Sequence, residues 1–248
     1  MRVLLLSILF AALGGCSFSL IDSTDGDDGN SRWTLADGAC PGLGSCALDV
    51  PTALGAELRF SIDLGDRSVA ELMPVFVDEA DGTITDVSRD TEDSIIRFSA
   101  RPARAGTLEL QIVDPDGERV DSTRFDVVTP TSLSCGQLPE GEALHYEMDA
   151  LVYTDELTLL NGDSAPQLAC LLTDADGAPL LSADIVAWRV LGDGDVIRVQ
   201  DELIDFEPDQ AARGARIWIT PASLEASGVA TIEASFGDQT ERFTVTVE

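Results

Sequence analysis

The sequence predicts an all-β chain folded as two β-sandwiches in tandem, and three observations carry that expectation. Apolar and polar residues alternate with period two, as where Leu58, Phe60, Ile62 and Leu64 fall opposite Glu57, Arg59, Ser61 and Asp63, the pattern of a half-buried strand. Asp-Gly and Gly-Asp pairs punctuate such segments roughly every ten residues, as in chains of many short strands. The second half carries no long helical period, and 248 residues suffice for two modest domains that each bury a core.

The chain opens on "LLLSILFAALGGCSF", residues 4–18. Val3 to Leu13 is apolar except at Ser7, too short for a helix across the hydrocarbon core, which needs about twenty residues. Preceded by Arg2 and followed by small residues, the run reads as a secretory signal over residues 1–15. Leu13-Gly14-Gly15-Cys16 resembles the bacterial lipobox, which implies a lipoprotein whose lipidated, palmitate-bearing Cys16 is the mature N-terminus. Two or three acyl chains anchor a protein stably, whereas one, at about 0.8 kcal/mol per methylene, binds only marginally. The alternative is ordinary cleavage after Ala12-Leu13-Gly14, leaving Cys16 a plain residue. Five cysteines is an odd count for an exported chain, and lipidating one leaves four to pair. Ser17, rather than Asp, resembles the pattern for outer-membrane sorting, so the expected location is the envelope, facing periplasm or cell surface.

Charge excludes one class of function. The chain has 45 Asp and Glu against 15 Arg and no Lys, a net charge of −30. Nucleic-acid binding draws most of its affinity from basic residues on phosphates, so it is not expected. The acidity serves solubility, with loose association to divalent cations or basic partners as the sharper alternative.

Residues 16–47 read as an acidic, flexible tether, with Asp22, Asp25, Asp27 and Asp28 set among Gly, Ser and Asn. Its spacing does not match an EF-hand loop, and Trp33 within it lacks a packing explanation. Cys40 and Cys46 bracket "PGLGS", a tight local disulfide. A first sandwich is expected over residues 48–129, with strands at "ELRFSIDL", "TLELQI" and "TRFDVV" and a hairpin turn at Asp116-Gly117. A connector, residues 130–149, leads to a second sandwich over 150–248, with strands in "PQLACLLTDADGAPL", "DIVAWRV", "DVIRV", "ARIWIT", "VATIEASFGDQ" and "ERFTVTVE". Four cysteines allow three pairings. The favoured set joins Cys40 to Cys46 and Cys135 to Cys170, the latter pinning the connector to a strand of the second sandwich.

The second half resembles a bacterial Ig-like domain of the group 2 or invasin/intimin-like kind. The matching landmarks are Gly162-Asp163 before a strand, Asp174-Ala175-Asp176-Gly177 in the turn after it, Trp188 on the next strand, and Gly228-Val229-Ala230-Thr231-Ile232 leading into Phe243-Thr244-Val245-Thr246-Val247. Residues 48–129 echo its closing half, with Ala105-Gly106-Thr107-Leu108 standing where Ser227-Gly228-Val229-Ala230 stands, as in a diverged repeat. Two features depart from the pattern: the middle of the first unit, residues 65–95, and the stretch "QDELIDFEPDQAARGA" in the second. The resemblance implies two Ig-like sandwiches, a scaffold that hosts many functions.

No catalytic residue is expected. His145 is the single histidine, and no nucleophile elbow, Walker loop, zinc-protease or dinucleotide motif is present. Asp114 and Asp116, and Asp174 and Asp176, form two D-x-D-G turns that are weak calcium candidates, with plain turn chemistry as the bland reading. No other metal or cofactor is expected. Trp188 and Trp218 read as core residues of an Ig-like sandwich, with sugar platforms as the alternative. The expected function is a non-enzymatic, lipid-anchored binding, adhesion or spacer module. It touches the membrane through its lipid alone and meets an envelope protein or polysaccharide partner. The alternatives are an accessory carbohydrate-binding subunit, a divergent envelope hydrolase, or a calcium-rigidified spacer.

Overall fold

The computed structural model describes residues 23–35, 50–138, 151–160, 165–181, 185–192, 195–200, 205–206, 212–213 and 216–248. The first unit is built from β1 (Thr24–Asp25), β2 (Arg32–Leu35), β3 (Thr52–Ala53), β4 (Leu58–Asp63), β5 (Met73–Phe76), β6 (Gly82–Asp90), β7 (Ile95–Pro102), β8 (Gly106–Val113) and β9 (Arg119–Val128). The second uses β10 (Ser132–Leu138), β11 (Glu156–Leu159), β12 (Gln167–Thr173), β13 (Ala187–Leu191), β14 (Ile197–Gln200), β15 (Asp205–Phe206), β16 (Ala212–Arg213), β17 (Arg216–Pro221), β18 (Gly228–Phe236) and β19 (Gln239–Val247). Cys16, Cys40, Cys46 and His145 lie outside the described residues.

Each unit is a sandwich of two sheets, and the two follow one plan. In the first, β1-β2-β4-β7-β6 faces β3-β9-β8-β5; in the second, β10-β12-β17-β14-β15 faces β11-β19-β18-β13-β16. Setting β2 against β10, β4 against β12, β7 against β17 and β6 against β14 superposes the order of one sheet. Setting β3, β9, β8 and β5 against β11, β19, β18 and β13 superposes the other. Both units divide their first strand between the sheets, and its second part pairs parallel with the last strand, β3 with β9 and β11 with β19. The chain is thus a tandem of Ig-like β-sandwiches, including the central region of the first unit, where the sequence pattern had faded.

The shared plan has a shared local cause at the start of β8 and β18. Gly106 and Gly228 both take positive φ, 121° and 134°, a region that L side chains rarely adopt. The glycines of the repeated Ala-Gly-Thr-Leu and Ser-Gly-Val-Ala landmarks therefore occupy equivalent corners.

Alternation fixes what each strand buries. Leu58, Phe60 and Ile62 on β4, and Ala230, Ile232 and Ala234 on β18, face the core and are almost wholly excluded from solvent. The first core is aromatic: Phe60 stacks on Phe98 with ring centroids 5.1 Å apart and receives Phe125 and the edge of Trp33 at 6.0 and 6.2 Å. The second is mainly Leu, Ile and Val around Trp188, which packs against Phe243 at 6.5 Å.

Two expected boundaries are corrected. Residues 24–35 belong to the first sandwich: β2 pairs with β4, Trp33 opposite Ile62, and Trp33 and Leu35 are fully buried. The short, acid-rich stretch reads as tether because only Trp33 and Leu35 of β2 face inward, too few for a periodic signal. Residues 132–138, expected as connector, form β10, paired along its length with β12. The unpredicted stretch at 200–215 contributes β15 to the outer edge of β14 and β16 to the outer edge of β13, so one excursion covers an edge strand of each sheet.

Candidate functional site

Three arrangements beyond the generic sandwich bear on function: a polar grip in the first unit, the junction between units, and the turns that could hold a cation.

The grip is centred on Asp121. It lies on the inward-facing side of β9, in line with Thr123, Phe125 and Val127, and is fully buried. The β1–β2 loop of the facing sheet, "GDDGNS", wraps its carboxylate. Backbone N–H groups of Asp28 and Asn30 donate to its two oxygens, each at 2.9 Å, and the Ser31 hydroxyl and the Ser122 N–H donate at 2.8 Å. The Trp33 indole N–H donates to Ser31 Oγ at 2.7 Å, which joins the aromatic core to the same network. Burial pushes the Asp121 carboxyl up, but the hydrogen bonds to its charged form outweigh this and hold it below its ordinary value. Gly26 is required by close approach, since a Cβ there would lie 2.3 Å from Asp121 Oδ2. The loop is an anion-binding nest whose anion is the chain's own carboxylate. Arg119 meets Asp28 at 3.2 Å and Arg124 meets Asp27 at 3.7 Å, offsetting the acids brought together there. Sequence reading missed Asp121; the signal was an acid on the buried parity of a strand.

The junction is short and buried. Three residues, Thr129 to Thr131, separate β9 from β10, and Pro130 is buried. On its free side β3 receives a segment of the second unit: Thr52 bridges Leu181 in parallel, the Ala53 N–H donates to the Leu181 carbonyl at 2.9 Å, and the Leu181 N–H to the Pro51 carbonyl at 2.8 Å. Thr52, Ala53, Leu180 and Leu181 are all buried, and a single apolar cluster runs through both units. Gln239, the first residue of β19, straps the linker: its Oε1 accepts from the Leu133 N–H at 2.8 Å and its Nε2 donates to the Thr131 carbonyl at 2.7 Å. Domains in one chain move relative to each other unless their interface is apolar and extensive. Here a β-bridge, a continuous core and a strapped linker all oppose such motion.

The D-x-D-G turns are built alike. Asp114 Oδ1 accepts the N–H groups of Asp116 and Glu118 at 3.0 and 2.8 Å, and Asp174 Oδ1 accepts those of Asp176 and Ala178 at 2.9 and 2.8 Å. One oxygen of each leading aspartate is thus engaged by its own turn, the local bonding that favours Asp there. Among the described residues no three Asp, Glu, Cys or His side chains are grouped to hold a metal.

Cys135 and Cys170 are joined in a disulfide between register partners on β10 and β12, as expected from the sequence. Trp188 is core; Trp218 is half-buried on the outer face of its sheet, beneath the Arg216 guanidinium at 5.4 Å from the ring centroid. No described helix is long and apolar enough to cross a membrane.

These features define a tandem Ig-like sandwich protein with an interlocked junction. No family model and no curated protein matches the chain. Among solved structures it is similar to domains 5–6 of the S-layer protein SbsC, at 16% identity and TM-score 0.32, covering 81% of this chain and 93% of that one. It is similar to the Yersinia pseudotuberculosis adhesin InvE at 13% identity and TM-score 0.31, covering 92% of this chain and 60% of that one. For invasin, described as a bacterial integrin-binding protein, identity is 12% and TM-score 0.30, over 91% of this chain and 41% of that one. The Ig-like assignment rests on the strand order given above.

Proposed function

We propose that the chain is a non-enzymatic, lipid-anchored envelope protein whose two Ig-like units act as a binding, adhesion or spacer module. The observation that carries this reading is the interlocked junction. A module that presents a surface at a set distance from a membrane needs a fixed angle between its units, and β3, Leu181 and Gln239 supply one. The lipobox-like Leu13-Gly14-Gly15-Cys16 supplies the attachment. Only residues 17–23 stand between Cys16 and β1, a reach of at most about 25 Å, so the anchor lies close to the first sandwich.

The test is fractionation with lipid labelling. Wild-type protein is expected in the membrane fraction carrying labelled acyl chains, and Cys16→Ala is expected to be unlabelled and released. A Cys16→Ala protein that still pellets with membranes refutes the anchor.

A further inference from the structure

The grip on Asp121 sits where tension on the N-terminus enters the first sandwich. From that side the chain first meets β1, two residues at the edge of their sheet whose neighbour there is β2. So short a pairing at an edge frays easily. In the β1–β2 loop that follows, the hold changes in kind. Besides three donors to the Asp121 carboxylate, the loop gives the Asp27 N–H to the Ser122 carbonyl at 2.7 Å and the Asn30 side-chain N–H to the Val120 carbonyl at 3.3 Å. Asp27 Oδ2 accepts the Ser122 hydroxyl at 3.2 Å, and Arg119 and Arg124 add ion pairs to Asp28 and Asp27. All of these join residues 27–31 to residues 119–124, the first part of β9.

β9 leads directly out of the unit. Val128 is its last residue, and after Thr129 to Thr131 the chain enters β10, which the Cys135–Cys170 disulfide locks to β12. The path from the N-terminus to the second unit therefore crosses the first sandwich once, through the grip, and passes beside the aromatic core. Pulled from opposite ends, the loop slides along β9, so contacts spread over several residues share the load. Hydrogen bonds to a buried carboxylate suit such a position, because a charged acceptor strengthens them and burial keeps competing water away.

We infer that the Asp121 grip is a load-bearing latch, which carries tension between the N-terminal anchor and the second unit and opens before the first sandwich yields. The inference rests on the reading of the chain as anchored at Cys16. Fractionation tests that anchor, whereas tension can be applied to the chain without its lipid.

The experiment is force spectroscopy on the full chain, held by handles at its two ends under constant tension. The disulfide withholds 35 residues of the second unit from extension, so reductant lengthens that unit's step by about 120 Å and tells the two units apart. Asp121→Asn is expected to shorten the lifetime of the first unit under tension at least about tenfold. Ser31→Ala, which removes one donor and leaves the carboxylate in place, is expected to shorten it about threefold. Ile96→Ala cuts into the core away from the path and destabilises the unit at least as much at equilibrium. It is nevertheless expected to shorten the lifetime less than Asp121→Asn does, because the latch opens while the core is still packed. A lifetime that Asp121→Asn leaves unchanged, or that Ile96→Ala shortens more than Asp121→Asn, overturns the proposal and assigns the load to the core.

Discussion

The two sandwiches share a strand order but fasten their first strand by different chemistry. In the second unit, β10 is tied to β12 by the Cys135–Cys170 disulfide, a covalent link across 35 residues of sequence. In the first, β2 is held by the buried Trp33 and by the loop that grips Asp121 on the opposite sheet. A first strand is the natural place for a fastener, because it has one neighbour in its sheet or a minimal partner beyond it and frays most easily. The difference teaches that one fold tolerates two solutions with opposite sensitivities: a carboxylate grip answers to acid, and a disulfide answers to reductant.

The largest expected effect comes from Trp33→Ala, which removes the indole from the first core and the donor to Ser31 together. It should cost about 3–5 kcal/mol, read by denaturant unfolding. A surface-sized effect would return residues 24–35 to the status of a tether. Next is Cys135→Ser with Cys170→Ser, expected to lower stability by about 3–4 kcal/mol, with Trp188 fluorescence reporting the second unit. Reductant should reproduce the loss in the second unit of the wild type, read at Trp188, and leave that signal unchanged in the double variant.

Asp121→Asn keeps the shape of the side chain but turns one acceptor into a donor facing the Asn30 N–H and the Ser31 hydroxyl. It should cost about 2–3 kcal/mol. The pH dependence follows from the depressed folded value: the stabilisation is fully present above the unfolded value, about 3.9, and is lost as pH falls through the lower folded value. Trp33 fluorescence in wild type should therefore report loosening of the first unit only below about pH 4, and Asp121→Asn should lack that component. The smallest effect is Asp174→Ala, which removes two turn hydrogen bonds at an exposed site and should cost about 1 kcal/mol. A calcium-dependent melting temperature that disappears in this variant would assign the turn a cation in place of plain turn chemistry.

Much of this comparison was legible in the sequence, and the failures have physical causes. Strands with a long alternating face, β4, β8 and β18, announce themselves because three buried side chains in a row repeat one pattern. Cys135 marked the connector for pinning, yet β10 itself was hidden: its flanking serines and Gly136 weaken the alternation, and Gly136 serves close approach to the Val152 carbonyl. β2 was hidden by shortness. Asp121 was hidden because three of its four donors, the Asp28 and Asn30 N–H groups and the Ser31 hydroxyl, lie 90 or more positions away, which composition cannot show. The junction was equally illegible, since Thr52 and Leu181 read as ordinary loop residues until the fold sets them side by side.

The account's central claim is that the two units form one rigid body through β3, Leu181 and the strapped linker. Residual dipolar couplings measured on the full chain test it most directly, because each unit reports its own alignment. A single alignment tensor describing β2 to β9 and β10 to β19 together is the expected result, with Leu181→Asp splitting it into two. Two distinct tensors in the wild-type protein would contradict the account and leave two sandwiches on a loose hinge.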